Sequence, residues 1–314
     1  MKILFLSNSN LFVENIVEYG VNVFPLFKKI PKLLRPLRIL SFKYDLFFAA
    51  CWYNKWNEVL DNYDVVLLSA SDFSPLIAKH ILKWVRGNNK IRLIYWYWNP
   101  VRSRFSPLKI PAGWETWSFD KMDCKAYTMK YNSTYYFNGI RSKPDDIKYD
   151  IMFVGQDKGR LERLISLKEN FELLGLTFYL HVTRDRLRTG RKNKHFYGDR
   201  LNYGQVLNII SQSKSILDFT QDNQTGLTLR VMESLFFQKK LVTNNTDIRD
   251  YNFYRKENIF IMGLDRDRDI LEFLKTPYIK IDKDIVNQYE FANWLTRIVN
   301  DNVLEDGVKE KISD

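Results

Sequence analysis

Cysteine is scarce in this chain, and its scarcity excludes two kinds of architecture. Cys51 and Cys124 are the only two cysteines among 314 residues, and neither lies near a cluster of histidines. Their spacing fits neither a zinc-binding motif nor a framework of disulfide bonds. Because a chain without structural disulfides is typical of the reducing cytoplasm, we expect a cytoplasmic protein.

Long apolar runs are also missing. No uninterrupted apolar stretch reaches the ~20 residues that a helix needs to span a bilayer. The first ten residues, MKILFLSNSN, contain one lysine and a short apolar run that ends in polar turn residues. A secretory signal needs a longer apolar region and a small-residue cleavage site. We therefore expect a soluble or peripheral protein.

Negative charge is in deficit. The 48 lysines and arginines outnumber the 37 aspartates and glutamates, which gives a net charge of +11 and a sequence pI near 9.4. This surplus favours an anionic partner, such as nucleic acid, anionic lipid headgroups or a phosphorylated small molecule. A hydrophobic content of 45% is typical of a globular protein, and the length suffices for about two domains.

Apolar strands alternate with helices along the chain, and the alternation restarts once. In the first half, the pattern predicts strands over residues 2–6, 65–70 and 91–98. In the second half, it predicts strands over residues 149–154, 177–182, 215–219, 240–243 and 259–262. Continuous apolar strands separated by helices indicate parallel sheets that are covered on both faces.

The stretch between the two series is typical of a linker. Residues 138–148, NGIRSKPDDIK, combine glycine, proline and mixed charge. We therefore expect two Rossmann-like, doubly wound α/β domains, residues 1–145 and residues 146–314, facing across a cleft. Ligands of such sheets bind just outside the carboxyl ends of the strands. A helix expected over residues 287–299 has two open placements, within the second domain or back against the first.

Residues 224–245, QTGLTLRVMESLFFQKKLVTNN, are the most informative for function. Gly226 allows a close backbone approach, and the start of the following helix offers uncommitted N–H groups and a positive dipole end, which together suit an anion. Arg230 adds a forked donor for phosphate, and Glu233 is placed to accept hydrogen bonds from sugar hydroxyls. These features predict a binding site for a nucleoside diphosphate. The alternative is an ordinary surface helix with an i,i+3 Arg–Glu pair.

Residues 24–60 interleave cations with large apolar side chains. This composition is typical of a segment that lies in a lipid headgroup interface. Two alternatives stay open: a helix pair packed on the sheet with its charges solvated, and a nucleic-acid surface. No nucleic-acid module is recognisable, so we expect no nucleic-acid partner. The cations are Lys28, Lys29, Lys32, Arg35, Arg38 and Lys43.

The order of several short motifs resembles bacterial glycosyltransferases of the GT-B architecture, in particular those that assemble capsule, exopolysaccharide or lipopolysaccharide. In the second half these motifs are DIMFVG (150–155) with Lys158 and Arg160 behind it, Asp218, GLTLR (226–230), Met232-Glu233 and KKLVTNN (239–245). In the first half they are YWNP (97–100) and WSFD (117–120).

The resemblance implies a nucleotide-sugar donor, with uridine diphosphate as the expected nucleotide, held by the second domain. It also implies that the first domain binds a glycan acceptor, which is lipid-linked at the cytoplasmic face of the membrane. Gly155 would let the chain pass near the diphosphate, Arg160 or Lys158 together with Arg230 would offset its charge, and Glu233 would hold the ribose. The other donor-side positions carried over are His181, Asp218, Gly226 and Thr228.

Enzymes of this architecture usually need no divalent metal, so the resemblance implies neither a metal site nor a cofactor. Asp265, Asp267 and Asp269 alternate with arginines, and we interpret them as a solvated charge run. Two other functions stay open: another nucleotide-sugar enzyme of the same fold, such as an epimerase, and a non-catalytic basic module that binds membrane or nucleic acid.

An inverting transfer needs a general base for the acceptor hydroxyl. Asp72 is the first candidate because it follows the carboxyl end of an apolar strand, and its alternative role is an Asx-turn or helix N-cap. Glu14 is the second candidate, with a helix-surface position as the alternative. Trp98 and Asn99, at the end of the strand over 91–98, are candidate acceptor contacts, although aromatic rings more often pack in a core.

Overall fold

The chain forms two compact units. The computed structural model describes residues 1–7, 11–71, 73–85, 90–101, 105–143, 145–185, 195–221 and 224–301. Unit 1 contains Met1–Ser133 and takes up the chain again from Trp294, whereas unit 2 contains Thr134–Asn293. None of the described helices is long and apolar enough to cross a membrane.

Unit 1 is built on a six-stranded parallel sheet. Its strands are β1 (Ile3–Leu6), β2 (Val21–Phe24), β3 (Val65–Ser69), β4 (Arg92–Tyr97), β5 (Glu115–Ser118) and β6 (Lys130–Tyr131). Their order is β2-β1-β3-β4-β5-β6, with every neighbouring pair parallel. The helices are α1 (Val13–Glu18), α2 (Arg35–Lys43), α3 (Ser74–Trp84) and α4 (Lys121–Tyr127). The strand order reverses between β1 and β3.

Unit 2 is built on a second six-stranded parallel sheet. Its strands are β7 (Tyr149–Gln156), β8 (Phe178–Thr183), β9 (Tyr197–Gly198), β10 (Ser213–Asp218), β11 (Lys240–Thr243) and β12 (Ile259–Ile261). Its helices are α5 (Leu161–Leu173), α6 (Tyr203–Ser211), α7 (Leu229–Phe237), α8 (Ile270–Lys275) and α9 (Lys283–Asn287). The order β12-β11-β10-β7-β8-β9, read from the β9 edge, is the 3-2-1-4-5-6 order of dinucleotide-binding sheets. It reverses between β7 and β10.

Both faces of the unit 2 sheet are covered by helices. On one face, Met152 and Ile216 pack against Ile209 and Ile210 of α6. On the other, Phe153, Leu217 and Val242 pack with side chains of α5 and α8. Because alternate residues of a strand point to opposite faces, apolar side chains on both faces require the continuous apolar strands seen in the sequence. The predicted α/β class, with two doubly wound parallel sheets, is confirmed.

The last described helix, α10 (Phe291–Val299), contributes to the core of unit 1. The Trp294 ring meets the buried Trp96 ring edge-on at 5.0 Å between centroids. The Asn132 side chain donates a hydrogen bond to the Trp294 carbonyl at 3.0 Å, and Arg92 donates to the Val299 carbonyl. From Trp294 onward, α10 therefore belongs to unit 1, whereas its first three residues belong to unit 2.

Residues 134–137 pack inside unit 2, ahead of the linker-like stretch in the sequence. The Tyr136 N–H donates to the Tyr289 carbonyl at 2.9 Å, and the Phe291 N–H donates to the Tyr136 carbonyl at 2.8 Å. The Tyr135 and Phe137 rings both contact the Phe291 ring. These contacts place the division of the chain at Ser133 rather than at residue 145.

Replacing Trp294 by alanine tests whether α10 is part of the unit 1 core. The side chain is fully buried, so Trp294→Ala should lower the free energy of unfolding by about 3–5 kcal/mol. Urea denaturation measures the change. Phe47→Ala, at a nearly fully exposed aromatic, is the control and should change stability by no more than about 0.5 kcal/mol. A loss below about 1 kcal/mol for Trp294→Ala would contradict this role.

Candidate functional site

The candidate site lies where the strand order of unit 2 reverses. β7 ends at Gln156 and β10 ends at Asp218, and the two strands are neighbours in the sheet. Ligands of open α/β sheets bind outside the carboxyl ends of the strands at such a reversal. The structure brings five predicted donor-side residues to this point: Gly155, Arg160, Asp218, Thr228 and Arg230.

The Arg230 guanidinium reaches from α7 to the end of β7. Its Nη2 and Nε donate to the Val154 carbonyl at 2.9 and 3.3 Å. Nη1 lies 3.8 Å from Asp218 Oδ1, and Cζ stands 4.6 Å above the Phe153 ring. The two bonds to Val154 use two of the five N–H donors of the guanidinium. The side chain keeps 18% of its area exposed, so its charge faces the reversal point while its orientation is held.

The missing side chain of Gly155 makes room for this arginine. A Cβ at this position would lie 2.1 Å from Arg230 Nη2, closer than any real contact. From the sequence, we expected Gly155 to let the chain pass near a diphosphate. In the structure, the space beside Gly155 is occupied by the Arg230 guanidinium.

Arg160 forms hydrogen bonds at the carboxyl ends of both β7 and β10. Its guanidinium donates to the Gln156 carbonyl at 2.8 Å, to the Asp157 carbonyl at 3.2 Å and to the Phe219 carbonyl. Burial and, second, the charge of Arg230 lower its pKa to about 10. Because three backbone carbonyls already hold it, Arg160 acts on the shape and charge of the site rather than as an open anion donor. Lys158 is half-buried in the same turn, with a left-handed φ of 49°.

Asp218 is fully buried beneath the site. Its Oδ1 accepts a hydrogen bond from the Thr228 hydroxyl at 2.8 Å. Burial raises its pKa, and the charge of Arg230 is the largest influence in the opposite direction. Its Oδ2 has no hydrogen bond of ordinary geometry within the described ranges. A buried carboxyl beside two arginines offsets part of their mutual repulsion.

Thr228 caps the N-terminus of α7. Its hydroxyl accepts hydrogen bonds from the N–H groups of Arg230 and Val231 at 3.1 and 3.4 Å. This corrects the expectation that the first N–H groups of the helix are uncommitted, since the cap occupies two of them. An anion at this end of α7 would therefore be bound mainly by the Arg230 side chain.

Glu233 points into unit 2 rather than to its surface. Only 4% of the residue is exposed, and its Oε1 accepts a hydrogen bond from the Tyr203 hydroxyl at 3.0 Å. The Tyr203 hydroxyl also bonds to that of Tyr136. Burial raises the pKa of Glu233 to about 7, against the opposing effect of Arg230. An exposed Arg–Glu pair therefore does not describe this helix.

Two other donor-side residues lie in ordinary structural positions. His181 is within β8, which continues to Thr183, and its Nε2 lies 2.8 Å from the Asp199 carbonyl. The ring also fills the space beside Gly198. Gly226 is buried in the loop that leads to α7.

The acceptor-side candidates belong to unit 1. Asp72 lies outside the described residues. Glu14 is exposed in the first turn of α1. Trp98 follows β4 and stacks on Phe12, with ring centroids 6.2 Å apart, and Asn99 beside it is exposed. Glu14, Trp98 and Asn99 thus all follow carboxyl ends of strands close to the reversal between β1 and β3.

Sequence reasoning missed two residues that shape the site. Asp157 caps α5: its Oδ1 accepts from the N–H groups of Arg160 and Leu161, both at 2.9 Å, and its Oδ2 accepts from the Tyr197 hydroxyl at 2.8 Å. Asp157 lies three residues before the N-cap position of α5, which is Arg160, so the usual N-cap signal in a sequence does not point to it. Phe153 lies under both guanidinium groups, and nothing in a strand sequence marks that role.

Among the residues the structure describes, no group of three or more His, Cys, Asp or Glu side chains is arranged to hold a metal ion. In the 265–269 run, Asp269 pairs with Arg266 at 2.8 Å, and Asp265 accepts a hydrogen bond from the Ile261 N–H at 2.6 Å. Two of the three carboxylates in this run, Asp265 and Asp269, therefore have partners within the chain.

Comparison with known proteins adds little. No family model matches the sequence, and no curated protein matches it. Solved structures that align over nearly the whole chain include a UDP-N-acetylglucosamine 2-epimerase (TM-score 0.46, 9% identity, 100% of this chain and 98% of that chain). They also include a glycotransferase of kitacinnamycin (0.41, 11%, 96% and 94%) and a 2-hydroxyacid dehydrogenase from Ketogulonicigenium vulgare Y25 (0.23, 9%, 97% and 97%).

Adding a methyl group at Gly155 tests the approach of Arg230. Gly155→Ala should push the guanidinium off the Val154 carbonyl and lower the free energy of unfolding by about 1–3 kcal/mol. Combined with Arg230→Ala, it should cost less than the sum of the two single changes, because the clash is gone. Urea denaturation of the four proteins in this cycle measures the coupling. Gly204→Ala is the control, because its added Cβ would meet only Asn202 Oδ1, at 3.3 Å, and its effect should add to that of Arg230→Ala. Strict additivity of Gly155→Ala and Arg230→Ala would contradict the contact.

The raised pKa of Glu233 predicts how stability depends on pH. Between about pH 4.5 and 7, the unfolded chain ionises this carboxyl while the folded protein keeps its proton, so stability falls as pH rises. Glu233→Gln keeps an acceptor for Tyr203 and removes this loss. It should therefore be more stable than the parent at pH 8, by on the order of 3 kcal/mol, and nearly equal at pH 4.5. Urea denaturation at the two pH values measures both, and equal stability at pH 8 would contradict the assignment.

Proposed function

We propose that unit 2 binds a nucleotide-sugar through its diphosphate at the β7/β10 reversal point, and that the protein is a glycosyltransferase. The observation that carries the proposal is the position of Arg230, whose charge is held at the carboxyl ends of both strands. A dinucleotide-type strand order places phosphate groups at this edge of the sheet. A guanidinium binds phosphate oxygens through paired, charge-assisted hydrogen bonds.

The held arginine suits the chemistry of sugar transfer. As the glycosidic bond to the donor breaks, negative charge develops on the departing diphosphate. A cation that is already oriented stabilises that charge without reorganising. Val154, Asp218 and Phe153 orient the Arg230 guanidinium, and the buried Arg160 adds positive potential from beneath. This arrangement supports a transfer in which protein cations stabilise the departing diphosphate.

The remaining assignments follow the motif resemblance. The resemblance assigns Glu233 to the ribose hydroxyls, but its carboxyl is buried and bonded to Tyr203, so we propose no ribose contact for it. Unit 1 is proposed to bind a lipid-linked glycan acceptor of surface polysaccharide assembly, through Trp98 and Asn99. Asp72 or Glu14 is the proposed general base. Such an acceptor would bring the protein to the cytoplasmic face of the membrane.

Nucleotide binding tests the role of Arg230. Uridine diphosphate, or another nucleoside diphosphate, should raise the melting temperature of the parent protein. Arg230→Ala should bind the nucleoside diphosphate about 10- to 100-fold more weakly, because it loses the charge-assisted hydrogen bonds to phosphate. Titration calorimetry below the melting temperature of the variant measures that affinity, so a loss of stability does not imitate a loss of binding.

Arg268→Ala is the matched control, because this arginine is highly exposed in the 265–269 charge run and should leave binding unchanged. Absence of binding by every common nucleoside diphosphate would overturn the proposal, and so would equal affinities of Arg230→Ala and the parent. Product analysis of the bound nucleotide-sugar, with and without acceptor, then separates transfer from epimerisation: a changed sugar without any acceptor would contradict the transferase assignment.

A further inference from the structure

Unit 1 exposes a surface that is both apolar and basic. We define the α2 surface as residues 28–47, which comprise α2 and its flanking turns. Of the 22 large hydrophobic side chains exposed in the described part of the chain, eight lie within residues 33–47. Leu33 and Phe47 are 91% and 97% exposed. The eight are Leu33, Leu34, Leu37, Ile39, Leu40, Tyr44, Leu46 and Phe47.

These side chains face outward because the helix is anchored on its other side. Ser41 and Phe42 are the buried residues of α2, and the Phe42 ring meets the Phe27 ring at 5.1 Å. The half-buried Arg38 lies over the same Phe27 ring at 4.8 Å. With successive side chains about 100° apart around a helix, these three residues define the inward side. Leu40, together with Pro36 and Lys43, lies on the opposite side.

From Lys28 to Tyr44, the α2 surface carries only positive charge. The chain contains no aspartate or glutamate between Phe24 and Tyr44. The next carboxylate along the chain, Asp45, forms an ion pair with Lys79 at 2.7 Å, and this contact lowers the pKa of Asp45. The occupant of this surface must therefore be anionic and also accept large apolar side chains. The six cations are those from Lys28 to Lys43.

We propose that the α2 surface docks unit 1 on an anionic lipid bilayer. Lipid headgroups supply the negative charge, and the acyl boundary beneath them accepts the apolar side chains. A second copy of the chain in a two-fold contact would set the same cations against each other. A nucleic acid would bind the cations through phosphates and leave Leu33 and Phe47 in water.

The geometry fits a helix that lies in the plane of the interface. α2 has nine residues, about half the length needed to span a bilayer. With Pro36, Leu40 and Lys43 toward the lipid, the flanking Leu33 and Phe47 are the apolar side chains of this surface with the largest exposed fractions. This docking does not depend on the nucleotide proposal, because it uses no residue of unit 2.

Vesicle sedimentation tests the proposal. The full-length protein should bind vesicles of phosphatidylcholine and phosphatidylglycerol in equal parts, and should bind pure phosphatidylcholine much less. Leu33→Ser with Phe47→Ser removes two apolar contacts and should lower the partition coefficient about tenfold or more. Lys29→Glu with Lys32→Glu should lower it by a similar factor and reduce its salt dependence.

Matched controls come from elsewhere on the chain. Leu108→Ser with Leu173→Ser changes two leucines that are each 86% exposed, and Lys275→Glu with Lys280→Glu changes two exposed lysines. Neither should alter vesicle binding. Melting temperatures and the response to nucleoside diphosphates should be the same in all four double variants, which separates a failure of docking from a failure of folding or of nucleotide binding.

Three results would overturn the proposal. The first is absence of binding, or equal binding to neutral and anionic vesicles. The second is full binding by Leu33→Ser with Phe47→Ser. The third is a concentration-dependent dimer, or an oligonucleotide complex, that this double variant loses while vesicle binding persists; either would assign the surface to that other partner.

Discussion

The candidate site of unit 2 depends on how one guanidinium is held. Arg230 is bonded to the Val154 carbonyl and lies near the buried Asp218. Other features of the site follow from this contact. Gly155 must lack a side chain, and Thr228 must cap α7 so that Arg230 lies in the first turn of the helix. Because a partly buried charge is costly without a partner, these residues form a set in which each change affects the others.

The same helix places two ionisable side chains in opposite environments. One turn apart on α7, Arg230 faces the reversal point of the sheet, whereas Glu233 is enclosed beside Tyr203. Burial raises the pKa of Glu233 and that of Asp218, and the charge of Arg230 opposes both shifts. One arginine thus acts on two buried carboxyls, one at the end of β10 and one within α7.

The fold was predictable where the apolar residues of a strand follow one another without interruption. The strand over residues 240–243 was predicted with the observed ends, and β3 and β4 within one residue at each end. β2, β5, β6 and β9 were missed. β6 and β9 have only two residues each, and polar residues interrupt the apolar ones in β2 (VNVF) and β5 (ETWS), so neither shows the continuous apolar run by which the other strands were identified. Of the candidate site, the residue types and their order were predictable. The filled space beside Gly155, the cap by Thr228 and the burial of Glu233 were not, because each depends on a neighbour distant in sequence or on the local helix geometry.

By itself, the sequence determined that the chain forms parallel sheets covered by helices, because apolar patterning is a local property that each strand and helix carries. Only the tertiary structure decided the strand order, which makes β7 and β10 neighbours and sets Arg230 against a carbonyl 76 residues earlier. It also decided that Trp294 joins the core of unit 1. Long-range contacts of this kind leave no periodic signal, since the energy that selects them comes from shape and charge that meet only after folding.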